Sequence, residues 1–136
     1  MNKDSTAAWL SSLRALLIDL DGVIYRGDVA LPGAADLLPA LSDLGIAHAF
    51  VTNNATLSPE DYQIKLGGMG IDAAADRIVT SAVATAAHLR TRADPGTRVC
   101  VVGEAGLIQS LRNAGFEITD VDPAYVVVAL DRGLTY

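Results

Sequence analysis

The chain has little cysteine, few aromatic residues and no clustered positive charge. Its single cysteine, Cys100, excludes an internal disulfide and any cysteine-rich metal site. Aromatic residues make up 5% of the sequence, so alanine, leucine and valine carry the apolar load. The formal net charge is −6 and no run of Lys or Arg occurs. That balance argues against nucleic-acid backbone binding and against a basic membrane-surface patch. An anionic ligand would therefore need a metal, backbone N–H groups or a helix N-terminus to hold it. No stretch approaches the ~20 apolar residues that span a bilayer. Met1 to Ser12 carries Lys3 and Asp4 and lacks the apolar core of a signal peptide, so a cytoplasmic protein is expected.

What is present is hydrophobic substance: 51% of the 136 residues are apolar, enough to bury a core. Residues 6–13 read as a short helical lead-in to a strand at Ala15–Asp19. Gly22 to Leu31 is long enough to form a small hairpin over the strand end. Pro32-Gly33 opens a helix with Leu37, Leu38, Leu41 and Leu44 on one face, closed by Gly45. Pro39 is an awkward interior residue of that helix. A second strand covers Ile46–Val51, and Ser58-Pro59-Glu60-Asp61 starts a helix that reaches about Met69. Ile78-Val79 is a third strand, and Thr80-Ser81 caps an alanine-rich helix. The turn cluster Arg92–Gly96 is the best boundary, dividing residues 1–93 from 97–136. Beyond it come a strand at Arg98–Val102, a helix from Glu104 to Ala114, and strands at Phe116–Ile118 and Tyr125–Leu130. Cys100 is expected buried in its strand. Strands alternating with helices imply an α/β protein with parallel βαβ units.

The most informative stretch is Leu16-Leu17-Ile18-Asp19-Leu20-Asp21-Gly22. An apolar strand ends in two aspartates one residue apart, and strand alternation turns both to one side. In open parallel sheets ligands bind beyond the carboxyl ends of the strands. Two carboxylates held together there favour a proton or a cation between them. An oxygen-loving dication, most naturally Mg²⁺, meets that need; a solvated turn is the plainer alternative. The second stretch is Phe50-Val51-Thr52-Asn53-Asn54, at the end of the next parallel strand. A hydroxyl followed by backbone N–H groups suits phosphoryl oxygens.

These stretches resemble the haloacid dehalogenase superfamily of phosphotransferases, in its NagD-like, 4-nitrophenylphosphatase and phosphoglycolate phosphatase branch. The resemblance rests on Leu17-Ile18-Asp19-Leu20-Asp21-Gly22-Val23-Ile24-Tyr25-Arg26-Gly27, Pro32-Gly33-Ala34, Val51-Thr52-Asn53-Asn54-Ala55-Thr56, Thr80-Ser81-Ala82 and Leu130-Asp131-Arg132-Gly133-Leu134-Thr135-Tyr136. It implies a Rossmann-like parallel core over residues 1–93 and the beginning of an α/β cap domain over 97–136. It implies a Mg²⁺-dependent phosphomonoester hydrolase acting on a small phosphorylated metabolite. Asp19 would be the nucleophile that forms an aspartyl-phosphate. Asp21 would be the acid and base, which requires it to carry a proton first, a state a neighbouring carboxylate favours. The Asp19 carboxylate and the Asp21 carbonyl would hold Mg²⁺, while Gly22, Thr52 and Asn53 would contact phosphoryl oxygens and Asn54 would face the substrate.

The resemblance also implies residues that are not found here. The family places a lysine after the cap and then an acidic metal ligand. This chain has only Lys3 and Lys65, and neither stands in that order. A truncated chain is the expectation, inactive or nearly so alone, with Leu16–Asp19 forming an unpaired strand edge. Two other readings stand beside the hydrolase: a non-catalytic remnant that pairs with another chain, and a receiver-type phospho-acceptor domain. The second is disfavoured because Asp19 and Asp21 share one strand. Val102-Gly103-Glu104-Ala105-Gly106 is read as structural rather than dinucleotide-binding. His48 reads as a packed or edge residue, His88 as surface, and Tyr25 and Arg26 as either site entrance or hairpin packing. Oligomeric state and the particular substrate are left open.

Overall fold

A computed structural model describes residues 12–135; most of the expected lead-in at 6–13 lies outside them. The first sheet has three parallel strands in the order β1 (Ala15–Asp19), β4 (Ala47–Thr52), β5 (Ile78–Thr80). Between β1 and β4 the chain forms the expected small hairpin, β2 (Tyr25–Arg26) against β3 (Val29–Ala30). Helix α1 (Ala34–Asp43) follows. Helix α2 (Pro59–Gly67) connects β4 to a single 3₁₀ turn at Ala75–Arg77 before β5, and α3 (Ser81–Arg90) follows β5. The start of α2 is fixed by a reciprocal cap: Ser58 Oγ accepts from the Asp61 N–H at 3.1 Å, and Asp61 Oδ2 accepts from the Ser58 N–H at 3.1 Å.

The second sheet is also parallel, with β6 (Arg98–Val102) between β7 (Glu117–Ile118) and β8 (Tyr125–Val128), and α4 (Ala105–Asn113) joining β6 to β7. Two apolar clusters hold the chain together. The first gathers Leu20, Ile24, Phe50, Tyr62, Leu66 and Ile71 beneath the first sheet. The second joins Ala55, Ala82 and Ala86 to Val99, Leu107 and Leu111, so α3 packs against α4 across the Arg92–Gly96 turn.

Each sheet is covered on one face. Along β1, Ile18 and Leu20 are buried while Leu17 on the alternate face is 78% exposed, and Val51 and Val79 also stand open on their strands. Among the described residues β1 pairs only with β4, leaving its other side an open edge. The same one-sidedness corrects the reading of Cys100: it lies in β6 but is half-buried, because its face carries the exposed Val126 and Val128. Leu44 is a second correction. It falls at the helical spacing of the apolar face, yet α1 ends at Asp43. The chain then reverses, with Ile46 N–H bonding Leu41 carbonyl at 2.9 Å, and Leu44 is left exposed. Pro39 does sit inside α1, on its exposed side. His48 packs edge-on against Phe50 at 5.9 Å. No helix among the described residues is long and apolar enough to cross a membrane.

Candidate active site

The parallel register sets the site. Asp19 pairs with Val51, and Thr52 pairs with Thr80, so the carboxyl ends of β1, β4 and β5 lie side by side. Alternation then does what the sequence predicts around the first aspartates: Leu20 is completely buried and Asp19 and Asp21 are exposed on either side of it. The Leu20 N–H donates to Asp19 Oδ1 at 2.8 Å, which orients that carboxylate. The Leu20 carbonyl accepts from the Ile24 and Tyr25 N–H groups at 2.9 and 3.2 Å, folding the chain back at once. This tight reversal needs Gly22, whose φ is 83°, a conformation that costs other residues energy. The Gly22 N–H bonds the Tyr25 carbonyl at 2.7 Å. It is therefore engaged in the turn, and Gly22 shapes the loop instead of offering a free donor to a phosphoryl group.

The second loop is organised by its own side chains. Thr52 is buried, and its Oγ1 accepts from the Asn54 N–H at 3.2 Å, leaving the hydroxyl proton as a donor. Asn54 Oδ1 accepts from the Thr56 N–H at 2.8 Å and from Thr56 Oγ1 at 2.7 Å. That commits its oxygen to holding the loop. The Asn53 carbonyl accepts from Ser81 Oγ at 2.8 Å, tying the end of β4 to the start of α3.

A cleft of about 360 Å³ opens here, lined by Asp21, Asn53, Asn54, Ala55, Ser81, Ala129 and Leu130. The structure thus brings Asp21, Asn53 and Asn54 to one cavity; Asp19, Gly22 and Thr52 stand outside its lining. Ser81 lines the cleft although it has no site role in the sequence reading, where it is part of a cap and of the Thr80-Ser81-Ala82 stretch of the resemblance. Its signal was available: the third strand ends at Thr80, and a three-strand parallel sheet puts that end beside Thr52. Another cavity, of about 280 Å³, lies among α2, α3 and α4 and contains no pair of carboxylates.

Tyr25 takes the packing role. It is 3% exposed, with Lys65 Nζ 4.3 Å above its ring and Lys65 paired to Asp28 at 3.4 Å. Burial first, then Tyr62 and the two aspartates, push its hydroxyl well above the usual tyrosine range. It stays protonated at neutral pH and does not serve as a base.

The exposed Asp19 carboxylate and the main-chain carbonyl of Asp21 offer an all-oxygen donor set at the end of β1, with the Asp21 carboxylate left over. The Asp21 carboxylate accepts no hydrogen bond among the described residues, and no group of three histidine, cysteine or carboxylate side chains able to hold a metal occurs among them. Such a set fits Mg²⁺, which binds through one or two carboxylates and keeps its remaining positions for water and phosphate oxygens.

The fold and the site define a parallel α/β protein with a carboxylate pair and a hydroxyl-bearing loop at adjacent strand ends. A family model described as haloacid dehalogenase-like hydrolase matches residues 16–117, and the chain belongs to that family. It is 43% identical over 130 residues to an acid sugar phosphatase of Staphylococcus saprophyticus, covering 93% of this chain and 49% of the relative. A 4-nitrophenylphosphatase from Thermotoga maritima superposes with a TM-score of 0.86 at 34% identity, over 93% of this chain and 48% of that one. A glycerol phosphate phosphatase from Mycobacterium tuberculosis, solved in complex with magnesium, superposes with a TM-score of 0.81 at 31% identity, over 91% and 38%. The chain spans about half the length of the curated relatives it matches, as the expectation of truncation requires. The resemblance carried by the Asp19 and Thr52 stretches is borne out at the level of family and fold.

Proposed function

We propose that this chain is the catalytic N-terminal part of a Mg²⁺-dependent phosphomonoester hydrolase whose substrate is a small sugar phosphate or polyol phosphate. The observation that carries this reading is the pair of exposed carboxylates at the end of β1, beside the Thr52–Thr56 loop. The names of the relatives, an acid sugar phosphatase and a glycerol phosphate phosphatase, support the substrate class.

Asp19 is the nucleophile. Its Oδ1 is held by the Leu20 N–H, which leaves the other oxygen to attack phosphorus in line and form an aspartyl-phosphate. Asp21, two residues on and unencumbered, protonates the departing alkoxide and then takes a proton from the water that cleaves the acyl phosphate. The Thr52 hydroxyl and the Asn53 N–H steady the phosphoryl oxygens, and Asn54 keeps their loop in shape through Thr56. The Asp19 carboxylate and the Asp21 carbonyl would hold Mg²⁺, which would supply charge neutralisation at the phosphoryl group. We assign residues 1–93 to the core and 97–136 to the beginning of a cap.

The experiment is 4-nitrophenyl phosphate hydrolysis with and without Mg²⁺, on this chain, on a form extended by its downstream codons, and on Asp19→Asn in each. Mg²⁺-dependent activity of the extended form that vanishes in Asp19→Asn is the expected result. Equal turnover by Asp19→Asn overturns the assignment of the nucleophile.

A further inference from the structure

The turn from Val102 to Gly106, at the start of α4, touches both sides of the cleft. On one side is the loop that carries Asn53 and Asn54. The Gly106 N–H donates to the Thr56 carbonyl at 3.2 Å, and Thr56 is bonded through its own N–H and hydroxyl to Asn54. A Cβ on Gly106 would lie 2.5 to 2.7 Å from the backbone C, O and N of Leu57. Contacts that close to backbone cannot be relieved by a side-chain rotation, so α4 and this loop sit at a fixed separation.

On the other side is the segment after β8, whose Ala129 and Leu130 line the cleft. The Ala129 N–H donates to the Val102 carbonyl at 2.8 Å. Glu104 then holds Arg132 in a fork: Oε1 accepts from the Arg132 N–H at 3.0 Å and from Nε at 2.7 Å, and Oε2 accepts from Nη2 at 2.6 Å. A bidentate carboxylate–guanidinium pair fixes direction as well as distance. Residues 129–132 are thereby anchored at both ends by one short turn. The three anchors, Val102, Glu104 and Gly106, alternate along five residues.

We infer that the Val102–Gly106 turn is a positioning device that sets the spacing between the Asn53–Asn54 wall and the Ala129–Leu130 wall, and so decides which phosphomonoesters the cleft admits. This rests on the hydrolase reading for its consequence but not for its geometry. Glu104 and Arg132 are positioning residues: they reach the cleft only through the backbone they hold. A ligand group small enough to avoid Leu130 is indifferent to the turn, while a bulkier alkyl or sugar moiety is sensitive to it.

The test uses Glu104→Gln, Arg132→Lys and the charge-exchanged pair Glu104→Arg with Arg132→Glu. Arg132→Lys keeps the charge but loses the fork. Amide hydrogen exchange on the 136-residue chain needs no turnover. It should quicken several-fold at Ala129–Arg132 in both single variants and return towards the original rate in the exchanged pair. In the extended form, both single variants should raise KM for a sugar phosphate several-fold relative to KM for glycerol phosphate, with kcat little changed. Unchanged exchange at Ala129–Arg132 overturns the device, and faster exchange with an unchanged KM ratio overturns its role in selection. Absence of turnover in the unsubstituted extended form counts against the hydrolase reading alone, and the exchange comparison still decides whether the turn holds the walls.

Discussion

The two apolar clusters differ in how much of their contact is made by small residues. Beneath the first sheet, Leu20, Phe50, Tyr62 and Leu66 are each fully buried and fill space with bulk. In the second cluster Leu107 and Leu111 of α4 and Val99 of β6 supply the bulk, Ala82 and Ala86 of α3 present small side chains to them, and beside it Gly106 meets the Leu57 backbone directly. The first arrangement fails when volume is removed, because a cavity forfeits transfer energy and contacts together. At Gly106 the contact fails when volume is added, because the neighbour is Leu57 backbone and no side chain can move aside. The clusters therefore serve different ends. The first carries the β1 end that holds the carboxylates and the β4 end that holds Thr52, and the Gly106 contact beside the second sets the distance to the second cleft wall.

Leu66→Ala should produce the largest effect, a loss of about 2–5 kcal/mol in urea denaturation, since Leu66 is 0% exposed. Gly106→Ala adds only a methyl group yet should cost about 1–3 kcal/mol, as overpacking does; a neutral result would break the contrast between the clusters. Gly67→Ala sharpens it. This glycine ends α2 with nothing within 4 Å of the position a Cβ would take, so the substitution should stabilise by about 0.5–1 kcal/mol through lower backbone entropy of the unfolded chain.

The smallest effect concerns Glu104. Hydrogen bonds from the Arg132 side chain, then from its backbone N–H, hold the Glu104 carboxyl at about 2, against an ordinary 4.5. A lowered folded-state value means that the stabilisation is complete above the ordinary value and is lost as pH falls from there towards 2. Carbon-detected NMR titration of the Glu104 carboxyl should give a midpoint near 2. Arg132→Gln should return that midpoint to the ordinary glutamate range, and an unaltered midpoint would separate the two residues.

Much of the fold and part of the site were legible in the sequence because local signals agreed with the global pattern. The Asp19-Leu20-Asp21-Gly22 stretch ends a strand with apolar Leu20 between two carboxylates, and burial follows that alternation. Ser58 and Asp61 announced a cap, and the Gly22–Leu31 connection announced a hairpin. What escaped depends on contacts between residues distant in the chain. Ser81 faces the cleft only because β5 lies beside β4. Cys100 and Leu44 lose burial because burial needs a covering layer that spacing alone does not provide. Gly106 looks like any glycine near a helix start until Leu57 is placed against it. Gly22 showed the opposite failure: the residue and its loop were read correctly, but its N–H is spent inside the turn.

Asp19 is the group on which the proposed chemistry turns, because it must receive phosphorus. The most direct measurement is rapid acid quench of the extended form turning over a phosphomonoester with Mg²⁺, followed by peptide mass spectrometry. A phosphoryl group on Asp19, absent in Asp19→Asn, is the predicted result. A phosphoryl group on another residue, or steady turnover with the label never found on Asp19, would contradict it.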